Sequence, residues 1–169
     1  MTVMIRRLAD GFAVLGGVIL LIIVAVTTTN TSAFILDRIA GMFGRNVAGL
    51  PGYEDFVQLA ISGVALMFFP YCQAQRGHVA VELFVDRLPQ RMQRGLDRLW
   101  LILTAGIALF LAYWMVFGLL EARSDGAVTS VLGWPVWPFY SPGLASMILW
   151  ALVAISQISG QISGAPQDA

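Results

Sequence analysis

Residues 100–120 read WLILTAGIALFLAYWMVFGLL, from Trp100 to Leu120: 21 residues without a charge, closed off by Arg98 before and Glu121 after. About 20 apolar residues, each rising ~1.5 Å, cross a hydrocarbon core of ~30 Å. This stretch therefore reads as a transmembrane helix, and the composition agrees. The chain of 169 residues is 58% hydrophobic and 12% charged, against roughly 45–50% and 25% in soluble domains. Mean hydropathy is +0.78.

Working outward, three more spans emerge. Downstream, YSPGLASMILWALVAIS begins at Tyr140. Ser141 suits an N-cap and Pro142 the first helical turn, which predicts a span over 142–158. Ahead of it, WPVWPFY (Trp134–Tyr140) is too rich in Pro for a helix. Its rings fit either an aromatic belt at the membrane interface or a wedge packed against other protein. Upstream, a span over 53–71 opens with Glu54 and Asp55, acids that favour the positive end of a helix dipole. Pro70 falls in its last turn and bends or ends it. A first span over 12–30 lies in the charge-free interval between Asp10 and Asp37, its crossing completed by the polar run Thr27–Ser32. Arg6 and Arg7 followed by an apolar run also resemble a signal peptide. The run is long for that, and further spans follow.

All ten basic residues are Arg, and their placement sets an orientation. The N-terminal tail (Arg6, Arg7) and the middle connection (Arg76, Arg87, Arg91, Arg94, Arg98) hold seven. The first and third loops hold three: Arg38, Arg45 and Arg123. Positive charge stays on the cytoplasmic side. Four spans then place both termini in the cytoplasm and those loops outside.

As an enzyme the sequence is nearly empty. One cysteine, Cys72, excludes an internal disulfide and any CxxC site, and one histidine, His78, excludes bis-histidine haem within the chain. No phosphate loop, HExxH or GxSxG occurs. We expect no catalytic or substrate-binding residue, no metal, no cofactor and no nucleic-acid partner.

The middle connection, QAQRGHVAVELFVDRLPQRMQRGLDRLW (Gln73–Trp100), gathers half the arginines. Val81, Phe84, Val85 and Leu88 recur at spacings of three and four, one face of a short amphipathic helix with Glu82 and Asp86 toward water. This predicts an interfacial helix over 79–88. Pro89 ends it and fits the first position of the next helix. Arg91, Arg94 and Arg98 share one face beyond. An Arg at mid-membrane costs about 2.5–3.5 kcal/mol, so the stripe belongs outside the core. There it touches lipid phosphates or acids on a partner. The fold expected is thus an all-α integral membrane protein: one domain over 1–169, four transmembrane helices (12–30, 53–71, 99–120, 142–158) and a short interfacial helix between the second and third.

The order of features resembles one family. The aromatic–acid opening Tyr53-Glu54-Asp55 leads into span two. Arg76-Gly77-His78-Val79, then Val81-Glu82-Leu83, follow that span, and Leu88-Pro89 closes the motif. This is similar to the small, DctQ-like membrane subunit of tripartite ATP-independent periplasmic (TRAP) transporters. Glu82 stands where Asp is common, and Phe69-Pro70 where small residues are frequent. The resemblance implies a non-catalytic scaffold in a bacterial inner membrane. Its partners would be a large multi-span transport subunit, a periplasmic substrate-binding protein and membrane lipids, in the uptake of small organic acids. It makes Arg76, Gly77, His78, Val81, Glu82, Phe84, Leu88, Pro89, Glu54 and Asp55 candidate interface residues. Arg38, Arg45, Arg123 and Asp125 become candidates for docking the binding protein. No span carries an ionisable residue at its centre, the usual mark of a substrate path, which agrees with a helper. The alternative is a membrane anchor for a respiratory or redox complex. Gly16, Gly17, Gly63 and Gly106 offer close helix approach.

Overall fold

The computed structural model describes residues 2–75 and 89–162. Helices α1 (Thr2–Gly41), α2 (Tyr53–Met67), α3 (Phe69–Ala74), α4 (Gln90–Ser124) and α5 (Tyr140–Ile162) follow in order, with a 3₁₀ turn over Trp137–Phe139 before α5. Four helical stretches are long and apolar enough to span a membrane: Val3–Gly41, Tyr53–Ala74, Met92–Ser124 and Trp137–Ser159. Among the described residues there is no strand, only an isolated antiparallel bridge between Val128 and Pro135. The expected interfacial helix over 79–88 lies outside the described residues.

Helix α1 has 40 residues, about 60 Å at 1.5 Å per residue. It runs past the expected 12–30 at both ends, since no proline interrupts it. Its polar run stays helical because hydroxyls bond back to the preceding turn: Thr29 Oγ1 donates to the Ala25 carbonyl at 2.7 Å and Ser32 Oγ to that of Thr28 at 2.8 Å. Its first turns are held by burial. Ile5 and Ala9 pack with Ala74, Leu149 and Val153, and Phe12 lies against them.

Span two is broken at Phe68, between α2 and α3. Pro70 is the cause. It has no N–H, so the carbonyl four residues back, on Leu66, loses its helical donor. Ser146 of α5 replaces it, donating Oγ to the Leu66 carbonyl at 2.9 Å. Both Pro70 and Ser146 are fully buried.

Pro89 stands one residue outside α4, as its cap, rather than in the first helical position. Its extended backbone (ψ 144°) lets its carbonyl accept from Met92 at 2.8 Å. Helix α4 ends at Ser124, and Gly126 just beyond it has a φ of +62° that allows Ala127 N to reach the Ala122 carbonyl at 3.0 Å. Helix α5 starts two residues earlier than Pro142. The Ser141 hydroxyl is therefore not an N-cap; it donates back to the Pro138 carbonyl at 2.6 Å. The preceding 3₁₀ turn already supplies helical backbone, which makes a cap at Ser141 unnecessary.

Helix α5 is the hub. It packs on α4 along one side and on α1, α2 and α3 along the other. The seam with α4 is built from small residues: Ala105, Ala108 and Ala112 are buried on α4, with Gly143, Ala151 and Ala154 on α5. Small side chains let backbones approach, which is what drives helix association in lipid. A Cβ on Gly143 would fall 2.6 Å from Met115 and 3.0 Å from Leu66, and one on Gly118 3.0 Å from Tyr140. Of the four glycines singled out from sequence, Gly16 meets Met67 and Phe68 and Gly63 meets Phe139 and Pro142. Gly17 and Gly106 face nothing within 4 Å.

Candidate functional site

The antiparallel packing gives the bundle two ends. One carries the start of α1, the end of α3, the start of α4 and the end of α5. The other carries the first loop (residues 42–52) and the third (residues 125–139). Polar side chains stitch both ends together.

At the loop end, Asp55 in the first turn of α2 reaches across to the third loop. Its Oδ2 accepts the Val131 N–H at 2.7 Å and the Leu132 N–H at 2.9 Å. The Thr129 hydroxyl lies against the same carboxylate and also accepts the Trp134 N–H at 3.1 Å. Asp55 thus does more than complement a helix dipole: it orders a loop 76 residues away in sequence. Gly52 makes room for this. Its φ is +76°, and a Cβ there would sit 2.6 Å from the Leu132 side chain. Neighbouring Glu54 accepts from the Tyr53 hydroxyl at 3.1 Å.

The first loop is pinned to α1. Asn30, buried midway along the upper half of that helix, accepts the Leu50 N–H at 2.9 Å, and Asp37 accepts the Val47 N–H at 2.8 Å. The chain therefore descends along α1 before α2 starts. The last turns of α1, about 16 Å of helix, rise beyond the start of α2, with Phe34, Ile35, Leu36 and Ile39 more than half exposed.

At the opposite end, α3 and α5 are joined by paired amides. Gln73 Nε2 donates to Gln157 Oε1, and Gln157 Nε2 to the Gln73 carbonyl, each at 2.8 Å. Gln73 is buried, where an unmatched amide is costly.

Besides Glu54 and Asp55, the residues expected from sequence fall into three groups. Arg76, Gly77, His78, Val81, Glu82, Phe84 and Leu88 lie outside the described residues. Pro89 caps α4, and Arg94 and Arg98 are exposed on that helix; for Arg91 only the helical backbone is described. The loop-end charges Arg38, Arg45, Arg123 and Asp125 are all exposed at one end. Arg123 is partly engaged, its guanidinium lying 5.3 Å from the Trp137 ring centre. Trp134 stacks on Phe139 at 6.4 Å. The aromatic run thus makes internal contacts, while Trp134 and Trp137 stay partly exposed. Sequence reading missed Asn30, Ser146, Gln73 and Gln157. Ser146 gave a signal, as a polar residue inside an apolar run, where it needs a partner. Asn30 is hidden among the polar residues 27–32, and Gln73 and Gln157 lie among polar neighbours at their span ends.

Between α2 and the third loop, with Met115 of α4 at its side, lies a groove of about 500 Å³. Leu59, Met115, Val136 and Phe139 line its apolar part; Asp55, Gln58, Ser62 and Ser130 are among its polar lining. Among the described residues no cluster of His, Cys, Asp and Glu is placed to hold a metal.

The helix pattern and the motif order point the same way as comparison with known families. The family model described as "Tripartite ATP-independent periplasmic transporters, DctQ component" matches residues 35–164. The chain belongs to the DctQ family. The match includes α2 to α5, the Asp55 clasp and the whole middle connection. Searches of curated proteins and of solved structures find no match. As a DctQ-family chain with four span-length helices, this is a membrane protein and the small subunit of a TRAP transporter. In TRAP systems the DctQ component works with DctM and a periplasmic binding protein.

Proposed function

We propose that this chain is a non-catalytic scaffold in a bacterial inner membrane, bracing the large transport subunit of a secondary active transporter. The transporter imports small organic acids delivered by the periplasmic binding protein. The observation that carries this reading is the combination of charge-free spans with clasps at every level. No Asp, Glu, Lys, Arg or His occurs in residues 11–36, 56–75, 99–120 or 126–162, so the spans offer no charged path for an anion or a coupling cation. Meanwhile Asp55, Ser146 and the Gln73–Gln157 pair tie α2, α3, α5 and the third loop together. Such a bundle suits a fixed support rather than a moving carrier.

The remaining assignments rest on charge placement and on the sequence motif. Seven arginines against three support both termini in the cytoplasm. The loop end then faces the periplasm, with Arg38, Arg45, Arg123 and Asp125 offered to the binding protein. The middle connection acts as a cytoplasmic brace. In this proposal Val81, Phe84 and Leu88 are the apolar contacts of the brace, Gly77 and His78 belong to its motif, and Arg91, Arg94 and Arg98 serve to hold lipid phosphates or partner acids. Arg76, Glu82, Pro89 and Glu54 complete the surface proposed for the large subunit.

Affinity purification of the chain from native membranes in mild detergent tests this. A stoichiometric large multi-span subunit co-elutes on the scaffold reading. Co-elution of a haem or flavin enzyme instead supports a redox-complex anchor.

A further inference from the structure

The groove between α2 and the third loop, with Met115 of α4 at its side, has walls of different character along its length. Asp55, Gln58, Leu59 and Ser62 lie on one face of α2 by their spacing of three and four, and all four line it. From Asp55 to Ser62 the α2 wall is about 10 Å long. Asp55 and Ser130 make one part polar, Leu59, Met115 and Phe139 make another apolar, and the Ser62 hydroxyl is turned back onto the Gln58 carbonyl. Asp55 is the one charged side chain among the described lining residues, and no Arg lies there to balance it. Its carboxylate is already oriented by two backbone N–H groups, which neutralise it only in part. With α2 read as a membrane span, the groove begins at the span's end, where headgroups lie, and runs toward the hydrocarbon.

An occupant of this shape is an amphiphile with a cationic, hydrogen-bonding head. We propose that the groove holds one phospholipid with a primary-ammonium headgroup, of the phosphatidylethanolamine type. The ammonium lies toward Asp55. The Gln58 amide and the Ser130 and Tyr140 hydroxyls are placed to donate to the phosphate. The upper acyl chain runs past Leu59, Met115 and Phe139. A quaternary ammonium lacks the N–H donors, and an anionic glycerol head opposes Asp55. The groove therefore discriminates by headgroup, unlike the open outer faces of α1 and α4. Such a lipid fills the gap between α2 and the third loop and stiffens the loop end. The inference rests on the spans crossing a membrane and not on which end faces outward.

Native mass spectrometry of the purified chain, given phosphatidylethanolamine, phosphatidylglycerol and phosphatidylcholine in equal amounts, tests it. One phosphatidylethanolamine is expected to be retained in preference to either of the others. Ser62→Trp, which fills the groove from its rim, and Gln58→Leu both remove it, with the thermal unfolding midpoint checked for each. Ile102→Trp, on the exposed face of α4, leaves binding intact. Asp55→Asn lowers the preference over phosphatidylglycerol by roughly three-fold, the scale of one exposed ion pair. Equal retention of phosphatidylethanolamine and either competitor overturns the proposal, as does retention undiminished in both folded groove variants. A photocrosslinker placed at position 62 in the whole transporter labels lipid on this account; labelling of a polypeptide instead overturns it.

Discussion

Ser146 Oγ lies 2.9 Å from the Leu66 carbonyl, the one backbone acceptor that Pro70 deprives of its helical donor. A defect in one span is thus repaired by the next, and the repair fixes the register of α5 on α2. Ser146→Ala removes this bond, leaving the Leu66 carbonyl only the strained short-range contact from the Phe68 N–H, and is expected to cost about 1 kcal/mol, read from denaturation in detergent micelles. Pro70→Ala restores an N–H at that position, so the double variant recovers part of the loss. A double-mutant cycle showing simple additivity contradicts the coupling.

Glycines on this bundle fall into two kinds. Gly143→Val drives a branched side chain into Met115 and Leu66 and is expected to destabilise by about 1–3 kcal/mol. Gly17→Ala and Gly106→Ala meet nothing within 4 Å and shift the isolated chain by no more than about 0.5 kcal/mol. Loss of co-purification with the large subunit in either Ala variant, with unchanged stability, marks that glycine as an interface residue.

The Asp55 clasp predicts a local effect. Asp55→Ala removes the acceptor for Val131 and Leu132. Hydrogen exchange at those two amides is expected to speed by on the order of ten-fold, while the α4–α5 seam stays protected. Asp55→Asn keeps an oxygen acceptor and falls between the two. Unchanged exchange in Asp55→Ala means the loop is held by its own bridge and turn.

For the middle connection, charge and geometry give different outcomes. Arg91→Lys with Arg94→Lys keeps the positive charge but lacks the planar guanidinium fork. Most transport is expected to survive, as for a lipid-facing collar. Phe84→Asp is expected to lose assembly with the large subunit. Normal assembly and transport by Phe84→Asp removes the brace from the account.

Orientation has a simple check. Reporter fusions after Ala169 and within the loop at Gly44 are expected to report opposite sides, with Ala169 cytoplasmic. A periplasmic C-terminus reverses every assignment of loop to partner.

The sequence announces its spans because hydrocarbon imposes a length and forbids charge, as the run Trp100–Leu120 shows. It was less informative about where helices stop. Helix α1 continues to Gly41 because Phe34–Ile39 are as able to be helical in water as in lipid. Its first turns are held by packing, while its far end is closed by a turn in which Gly44 takes a φ of +70° and the Arg45 N–H bonds the Ala40 carbonyl at 3.0 Å. Ser141 looked like a cap because Ser-Pro often is one, and the 3₁₀ turn ahead of it changed that. The clasps are tertiary facts. Nothing local to Asp55 names Leu132 as its partner, and Gln73 meets Gln157 only once α3 lies on α5. Pro70 and Ser146 come nearest to being legible, since a proline inside a span announces an orphan carbonyl and a polar residue elsewhere must answer it.

The most direct test of the scaffold is uptake by proteoliposomes holding the large subunit, with the binding protein and substrate supplied outside and the cation gradient held constant. With this chain co-reconstituted in equal amount, uptake is expected. With the large subunit alone, uptake falls to background although that subunit remains folded. Undiminished uptake without this chain contradicts the account.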